Sequence, residues 1–304
     1  MIELLQDFHA EARSPRHPRS PRLRVTAFIC LLIGATYATA QAPPSWTTPV
    51  KPVRVVGNIY YVGTEELGAF LLTGKEGLVL LDAPMDENVD LVLRNVKELG
   101  FDPAKIRVLL NSHAHLDHAG GFAAIRNKTG AKLYMTASDA ELAARGGRND
   151  FAFGDRLAYP PVTADVIIED GHIVRLGEIA MTAMVTPGHT KGCTTWRTTA
   201  VHRGKPVDVV FQCSLTAPGY KLVANDKYPD IVEDYRRSFD RLRKLQPDVF
   251  LANHASFFGL ARKLERVSKG DANAFIDRKE FAHFLDRSWK SLETEIAKQR
   301  AAQK

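Results

Sequence analysis

The sequence is poor in cysteine and has no long apolar run. Only three cysteines occur among its 304 residues, which excludes a small scaffold built on several disulfides. The most apolar stretch near the N-terminus, residues 25–34, is far shorter than the roughly 20 residues that a membrane-spanning helix needs. Hydrophobic residues make up 45% of the chain and charged residues 25%, so the chain is neither disordered nor a coiled coil.

The excess of basic over acidic residues is also small. Lys and Arg number 41 against 35 Asp and Glu, which gives a net charge of +6. Residues 1–40 hold five of the arginines and three of the acids, so the rest of the chain has 36 basic and 32 acidic residues, or +4. These charges are dispersed apart from a basic C-terminal end, whereas nucleic-acid-binding proteins carry a clustered basic stripe. We therefore expect no nucleic-acid partner.

The N-terminal segment has the three parts of a secretory signal peptide. Residues 1–24 are rich in arginine, residues 25–34 are apolar, and Ala38-Thr39-Ala40 provides the small residues of a cleavage site. We predict a signal peptide over residues 1–40, export to the periplasm, and no stable membrane association after cleavage. An uncleaved membrane anchor is the alternative, and the shortness of the apolar run argues against it.

No repeat, low-complexity block or linker divides residues 41–304, which we interpret as one domain. Short apolar runs, many of them rich in Val and Ile, predict strands at 54–62, 69–72, 77–81, 108–110, 132–135, 166–168, 181–185, 207–211 and 249–251. Helical patterns lie at 88–99, 116–129, 138–144, 231–245 and 278–304. Ser138, followed by Glu141, is a candidate capping box. Strands that alternate with helices indicate an α/β fold.

Four potential metal ligands follow the predicted strand 108–110 within six positions: His113, His115, Asp117 and His118. In extended backbone the first two histidines project to the same side, and the helix predicted next can bring the other two residues to a neighbouring point. Imidazole and carboxylate groups suit zinc, and a cluster of them is poor material for a core. A histidine-rich surface loop is the alternative.

Two further histidines end strands in a similar way. His189 follows a Pro-Gly turn after strand 181–185, and His254 follows strand 249–251. Either one alone is equally well explained as a hydrogen-bonded core histidine, but the first cluster makes both candidate ligands. Five histidines and one aspartate suffice for two sites of three protein ligands each. Three protein ligands with an open fourth position characterise a catalytic zinc, and two such ions can activate a bridging water for hydrolysis.

The pattern His113-x-His115-x-Asp117-His118, together with Thr-Pro-Gly-His189-Thr and His254, resembles the metallo-β-lactamase superfamily. The resemblance covers nearly all of residues 50–300. It implies an α/β fold, a four-layer αββα sandwich with a dinuclear site at one edge between the two sheets. The superfamily includes zinc β-lactamases, lactonases, thiolesterases and nucleases, so the fold alone does not determine the substrate.

Two departures point to one subclass. Lactonases and thiolesterases of the glyoxalase II type carry a metal-bridging aspartate after the third ligand region, but residues 209–222 contain no acid. Zinc β-lactamases of the first subclass have a cysteine ligand there and an arginine after the motif aspartate, where this chain has Ser214 and His118. That combination resembles the subclass B3 zinc β-lactamases.

The resemblance implies a function and a role for each site residue. The chain would be a periplasmic, monomeric enzyme that uses two Zn²⁺ ions and an activated hydroxide to hydrolyse the β-lactam amide bond of penicillins, cephalosporins and carbapenems, conferring antibiotic resistance. The first ion would be held by His113, His115 and His189, and the second by Asp117, His118 and His254. Asp117 would also act as the catalytic residue that orients the water, and Ser214 and Thr216 would bind the substrate carboxylate. The alternative is another exported dinuclear-zinc hydrolase, a lactonase or thiolesterase.

Cys193 and Cys213 allow two interpretations. Turn residues 202–205 separate two strand-like segments, and folding this hairpin about position 203 places the two cysteines directly opposite each other. In an exported protein such a pair forms a disulfide, and some subclass B3 enzymes are similar in this respect. Alternatively, a shift of one residue would put Cys213 in the place of Ser214 and offer a thiolate to the second metal.

Overall fold

Two β-sheets pack face to face with helices on both outer faces, which confirms the predicted αββα sandwich. The structure is a computed structural model and describes residues 42–303. The predicted signal peptide, residues 1–40, lies outside the described residues and stays a prediction. Within residues 42–303, no helix combines the length and the apolar character needed to cross a membrane.

Seven strands form the first sheet, in the order of the chain. They are β1 (Val53–Val56), β2 (Ile59–Tyr61), β3 (Phe70–Gly74), β4 (Gly77–Leu81), β5 (Ile106–Leu110), β6 (Lys132–Thr136) and β7 (Val166–Ile168). Neighbours are antiparallel from β1 to β4 and parallel from β4 to β7. Parallel neighbours need crossover connections, which contain α1 (Val89–Glu98), α2 (Leu116–Ala119), α3 (Phe122–Thr129) and α4 (Ala137–Ala144).

Five strands form the second sheet, in the order β12-β11-β10-β9-β8. They are β8 (Ile173–Leu176), β9 (Ile179–Val185), β10 (Thr194–His202), β11 (Lys205–Gln212) and β12 (Val249–Ala252). Only β11 and β12 are parallel. Their connection contains α5 (Ile231–Leu242), and α6 (Leu260–Ser268) and α7 (Glu280–Ala301) follow β12.

Side-chain alternation along the strands divides the core in two. In β3, Phe70 and Leu72 lie in the cluster between the sheets, and Leu71 lies in the cluster beneath α1 and α3 with Val92 and Phe122. Both faces of the first sheet are therefore buried. The outer face of the second sheet is covered by buried aromatic residues of α5 and α7: Tyr235, Phe239, Phe281 and Phe284. This burial fixes the two sheets against each other and sets the edge where their strands end.

Glycines divide two elements that the sequence predicts as continuous. The predicted strand 54–62 becomes β1 and β2 because Gly57, with φ +53°, turns the chain in the left-handed region. The predicted helix 116–129 becomes α2 and α3 at Gly120-Gly121. A Cβ on Gly120 would lie 2.5 Å from the Leu116 carbonyl oxygen, and one on Gly121 would lie 2.9 Å from that of Pro84. The Gly121 amide donates to the carbonyls of Ala83 and Pro84 outside the helix, and this explains the break.

Other sequence predictions need correction. Helix α4 begins at Ala137, so Ser138 lies inside the helix, and the predicted capping box is wrong. The residue before the helix, Thr136, donates its hydroxyl to the Gly192 carbonyl instead. Strand β8 and helix α6 are not predicted at all, since they are only four and nine residues long.

Candidate metal centre

The predicted ligands meet at one edge of the sandwich, where strands of both sheets end. The segment after β5 carries His113 and His115, and α2 then carries Asp117 and His118. The other sheet contributes two loops, and these carry His189 after β9 and His254 after β12. The structure therefore brings all six residues together, although no single stretch of chain contains them.

Three histidines form a first cluster. His189 Nε2 lies 3.2 Å from His113 Nε2 and 3.2 Å from His115 Nδ1. The three nitrogens all lie within 4.8 Å of one another, and all three residues are buried. One cation could be held at the centre of this triad.

Asp117, His118 and His254 form a second cluster beside the first. His118 Nε2 lies 3.2 Å from His254 Nε2 and 3.2 Å from Asp117 Oδ2. The distance from His254 Nε2 to Asp117 Oδ2 is 3.4 Å. His113 borders this cluster too, because it also groups with Asp117 and His118 within 4.8 Å. The two triads therefore adjoin.

The protonation states suit a metal. Burial, reinforced by neighbouring histidines, lowers the pKa of His113 far below its ordinary range and that of His189 to about 3. These imidazoles are neutral and have lone pairs to donate to a cation. Burial opposes ionisation of Asp117, but His118 and His254 hold the pKa of its carboxyl well below the usual range. His254 differs, because Asp117 and Glu66 raise its pKa to about 9, so it must lose a proton before it can bind a metal. Imidazoles and a carboxylate whose donor atoms converge fit zinc, and the site indicates a metal cofactor.

The second nitrogen of each imidazole faces a polar group. The pairs are His113 Nδ1 with Ser112 Oγ at 3.2 Å, His115 Nε2 with Asp150 Oδ2 at 3.5 Å, His118 Nδ1 with Asp82 Oδ2 at 3.8 Å, His189 Nδ1 with the Thr216 carbonyl at 2.8 Å, and His254 Nδ1 with Glu66 Oε1 at 3.3 Å. Hydrogen-bonding partners fix the ring orientation and the tautomer of a metal-binding histidine. His115 Nε2 and His118 Nδ1 make no hydrogen bond within the described residues, so Asp150 and Asp82 approach these two nitrogens without one. Sequence reasoning missed Glu66 and Asp150, because neither stands at a fixed spacing from a ligand.

Asp82 lies behind the second cluster. Both of its oxygens accept hydrogen bonds at 2.7 Å from Ser112, one from the amide and one from the hydroxyl. Burial raises the pKa of Asp82 to about 8, and its φ of +61° is in the left-handed region. A strained, buried acid at this point connects the end of β4 to the segment that begins the histidine motif.

Ser214 and Thr216 lie beside the first cluster. The Ser214 hydroxyl is buried and lies 2.9 Å from the Thr216 hydroxyl. The Thr216 carbonyl accepts hydrogen bonds from His189 and from Tyr235. Thr216 therefore positions a candidate ligand through its backbone, a role that the sequence did not predict.

Cys193 and Cys213 form a disulfide with their Cα atoms 6.0 Å apart, but the predicted register is wrong. The strands pair His202 with Lys205 and Trp196 with Phe211. Continued along the chain, this register sets Cys213 opposite Thr194, so the disulfide joins diagonal positions. The sulfur of Cys213 lies in this bond, and the alternative of a thiolate on the second metal is not supported.

Aromatic side chains surround the two clusters. The Phe153 ring lies 5.3 Å from that of His115, the Phe257 ring 5.1 Å from that of His254, and the Trp46 ring 6.2 Å from that of His254. These residues come from three separate segments of the chain, and the sequence does not single them out. They give the site partly apolar walls.

The family of the chain follows from comparison with known proteins. Residues 69–254, more than half of the chain, match the model of the metallo-beta-lactamase superfamily. The chain therefore belongs to this superfamily. The matched range begins at β3 and ends at His254, so it contains all six clustered residues.

Solved structures place it closer to one group within the superfamily. Native FEZ-1 metallo-beta-lactamase from Legionella gormanii is 37% identical with a TM-score of 0.82, covering 84% of this chain and 98% of that one. BJP-1, a subclass B3 metallo-beta-lactamase of Bradyrhizobium japonicum, is 35% identical with a TM-score of 0.81, covering 86% and 99%. A metallo-beta-lactamase of Cronobacter sakazakii with a HARLDQ motif is 44% identical with a TM-score of 0.81, covering 84% and 98%. The resemblance to subclass B3 is confirmed, and the chain is a hydrolase.

Curated relatives match over shorter segments. A probable metallo-hydrolase of Burkholderia pseudomallei is 29% identical over 115 residues, which are 38% of each protein. An N-acyl homoserine lactonase of Azorhizobium caulinodans is 36% identical over 104 residues, 32% of this chain and 37% of that protein. The matched segments thus span little more than a third of these relatives.

Proposed function

We propose that the chain hydrolyses the amide bond of β-lactam antibiotics at a dinuclear zinc site. The observation that carries this proposal is the pair of adjoining triads, each with three protein donors. His113, His115 and His189 would hold one ion, and Asp117, His118 and His254 the other. Bound zinc would polarise the lactam carbonyl and make a water nucleophilic near neutral pH.

The protein's own groups would position the reactants. Asp117 directs Oδ2 toward His118 and His254, and its Oδ1 accepts no hydrogen bond from the described residues. That oxygen is available to accept a hydrogen bond from the attacking water and so to orient it. Thr216 and Ser214 would bind the substrate carboxylate, with Trp46, Phe153 and Phe257 against the apolar substituents.

Two features support a β-lactam over a lactone or thioester substrate. Solved structures that match over nearly their whole length are metallo-beta-lactamases, whereas the matched lactonase aligns over 37% of its length. The segment 209–222 also contains no acid that could bridge two metals. A lactonase remains the second candidate function, since a curated relative bears that name.

Hydrolysis of nitrocefin and of a carbapenem by the zinc-loaded protein tests the proposal. We expect turnover that a chelator abolishes and added zinc restores. A homoserine lactone and a glutathione thioester should be cleaved far more slowly. If the protein binds two zinc ions and cleaves neither β-lactam, the proposal is wrong, and cleavage of the lactone would support the second candidate.

We also propose that the mature enzyme is a periplasmic monomer that begins at Gln41. The basic, apolar and small-residue parts of segment 1–40 support export. Expression in a Gram-negative host with fractionation and N-terminal sequencing provides the test. A full-length chain retained in the cytoplasm would contradict export, and sedimentation as a dimer would contradict the monomer.

A further inference from the structure

Asp139 connects the two loops that carry the first histidine triad. It lies in the first turn of α4 and its side chain is buried. Its carboxylate accepts three hydrogen bonds, and all three donors belong to the ligand-bearing loops: the amides of Ala114 and Gly192 and the hydroxyl of Thr190. Asp139 itself is not one of the clustered residues and would not touch a metal.

Ala114, which lies between His113 and His115, is held from both sides. Its amide donates to Asp139 Oδ2 at 2.9 Å. Its carbonyl accepts a hydrogen bond of 2.7 Å from the buried Tyr159 hydroxyl. Both backbone groups of the residue between two ligands are therefore fixed by side chains of the segment 139–159, which limits rotation of the two peptide planes that aim the imidazoles.

The loop that carries His189 is held by the same carboxylate. Thr190, the next residue, donates its hydroxyl to Asp139 Oδ2 at 3.2 Å, and the Gly192 amide donates to Oδ1 at 3.1 Å. A Cβ added to Gly192 would lie 2.5 Å from Asp139 Oδ1. Only glycine lets the loop approach the carboxylate this closely, so the contact depends on both partners.

We propose that Asp139 is a positioning residue that sets the geometry and the zinc affinity of the His113–His115–His189 site. One carboxylate fixes the relative position of two ligand loops that come from different sheets. Since zinc affinity depends on the placement of all three nitrogens, loosening one loop against the other weakens binding at this site. The inference rests on the proposed metal site but not on the identity of the substrate.

The test measures zinc binding at one site at a time. The His254→Ala variant keeps the first triad, and the His189→Ala variant keeps the second. Asp139→Asn is added to each, because it preserves side-chain size but presents an amide N–H to backbone donors. Competition with a chelating indicator gives the zinc affinity, and cobalt absorption bands report the ligand geometry.

We expect Asp139→Asn to weaken zinc binding about 10- to 100-fold at the first site, the range seen when outer partners of metal ligands are removed. The cobalt spectrum of that site should change. The zinc affinity of the second site should stay within about twofold of its value without Asp139→Asn. Tyr159→Phe, which removes only the hydroxyl on the other side of Ala114, should act in the same direction. If Asp139→Asn fails to fold, the zinc affinity of Tyr159→Phe is measured in its place.

Asp165→Asn is the control. Asp165 likewise accepts a backbone hydrogen bond, from Leu133 at 2.9 Å. It is exposed and also pairs with Arg126, and it serves the strand β6 and not a ligand loop. Its substitution should leave both affinities unchanged. Equal weakening of both sites by Asp139→Asn, or no change at the first site, would overturn the positioning role. A wild-type protein that binds no zinc would instead overturn the proposed function.

Discussion

His118 and His254 are 136 residues apart in sequence, yet their Nε2 atoms lie 3.2 Å apart. His118 comes from the short helix α2 on the first sheet and His254 from the end of β12 in the second. Asp117 Oδ2 lies within 3.4 Å of both. The second triad therefore exists only when the two sheets are packed together.

Replacing His254 by Ala should remove one of the two proposed zinc ions. Asp117 and His118 alone offer two donors, fewer than the three that a catalytic zinc site uses. Metal analysis of the dialysed variant should give about one zinc per chain, with β-lactam turnover reduced at least about 100-fold. His202→Ala is the control, since His202 lies in the hairpin turn at the other end of β11 and contacts Asn273. Two tightly bound zinc ions in the His254 variant would contradict the assignment.

Zinc binding to the metal-free protein should release a proton at the second site. Burial opposes charge on His254, but Asp117 and Glu66 raise its pKa to about 9. The imidazole is therefore protonated at pH 7 and must lose its proton to bind zinc, whereas His113 and His189 are already neutral. Affinity at the second site should rise about tenfold per pH unit from 7 to 9 and then level off.

Calorimetry in buffers of different ionisation enthalpy measures this proton. About one proton should leave when the second site fills. Glu66→Gln removes one of the two carboxylates that raise the pKa of His254, so it should reduce the release at pH 7. An affinity at the second site that does not change between pH 7 and 9 would refute the protonation state.

Loss of the Cys193–Cys213 disulfide should destabilise the fold without removing the metal ligands. The bond closes a loop with a sequence separation of 20, and the chain-entropy model assigns such a loop about 3 kcal/mol. The Cys193→Ala/Cys213→Ala variant should show that loss in urea unfolding of the metal-free protein. Alkylation of the denatured, unreduced mature protein should modify no cysteine, and two modified thiols would disprove the bond.

The ion pair of Lys263 and Glu280 should tolerate loss of both charges better than loss of one. Both residues are buried, with Lys263 Nζ 2.5 Å from Glu280 Oε2. Burial lowers the pKa of Lys263 and raises that of Glu280. Glu280 Oε1 also lies 3.2 Å from a guanidinium nitrogen of the exposed Arg262. Lys263→Met should cost at most about 3–5 kcal/mol, because it leaves the buried carboxylate with only this exposed partner, and Lys263→Met/Glu280→Leu should recover most of that loss.

Urea unfolding measures both effects. The exposed pair of Lys269 and Glu265 provides the comparison, and Lys269→Met should change stability by less than about 1 kcal/mol. If the double variant is no more stable than Lys263→Met, the stabilisation comes from the packing of these side chains and not from compensation of charge.

The register of the β10–β11 hairpin could not be predicted from the sequence. The hairpin turn places Arg203 at φ +49° and Gly204 at φ +77°, a two-residue loop with both central residues left-handed. That geometry pairs His202 with Lys205 and moves the register by one residue from the predicted one. Nothing in the apolar pattern distinguishes the two registers, because the choice depends on backbone angles at two positions.

The sequence by itself determined the types and local spacing of the candidate ligands and the layered α/β fold. His113 and His115 are predicted to share a side because strand geometry repeats every two residues, and the alternation of apolar runs with helical patterns implies layers. These are local properties, set by backbone periodicity within a few residues. Only the tertiary structure decided which distant groups meet: His118 with His254, His115 with Asp150, and Asp139 with both ligand loops. These contacts form because the chain packs so that both faces of the first sheet are buried. Packing of this kind depends on the whole chain, so the spacing of residues in the sequence does not reveal the contacts.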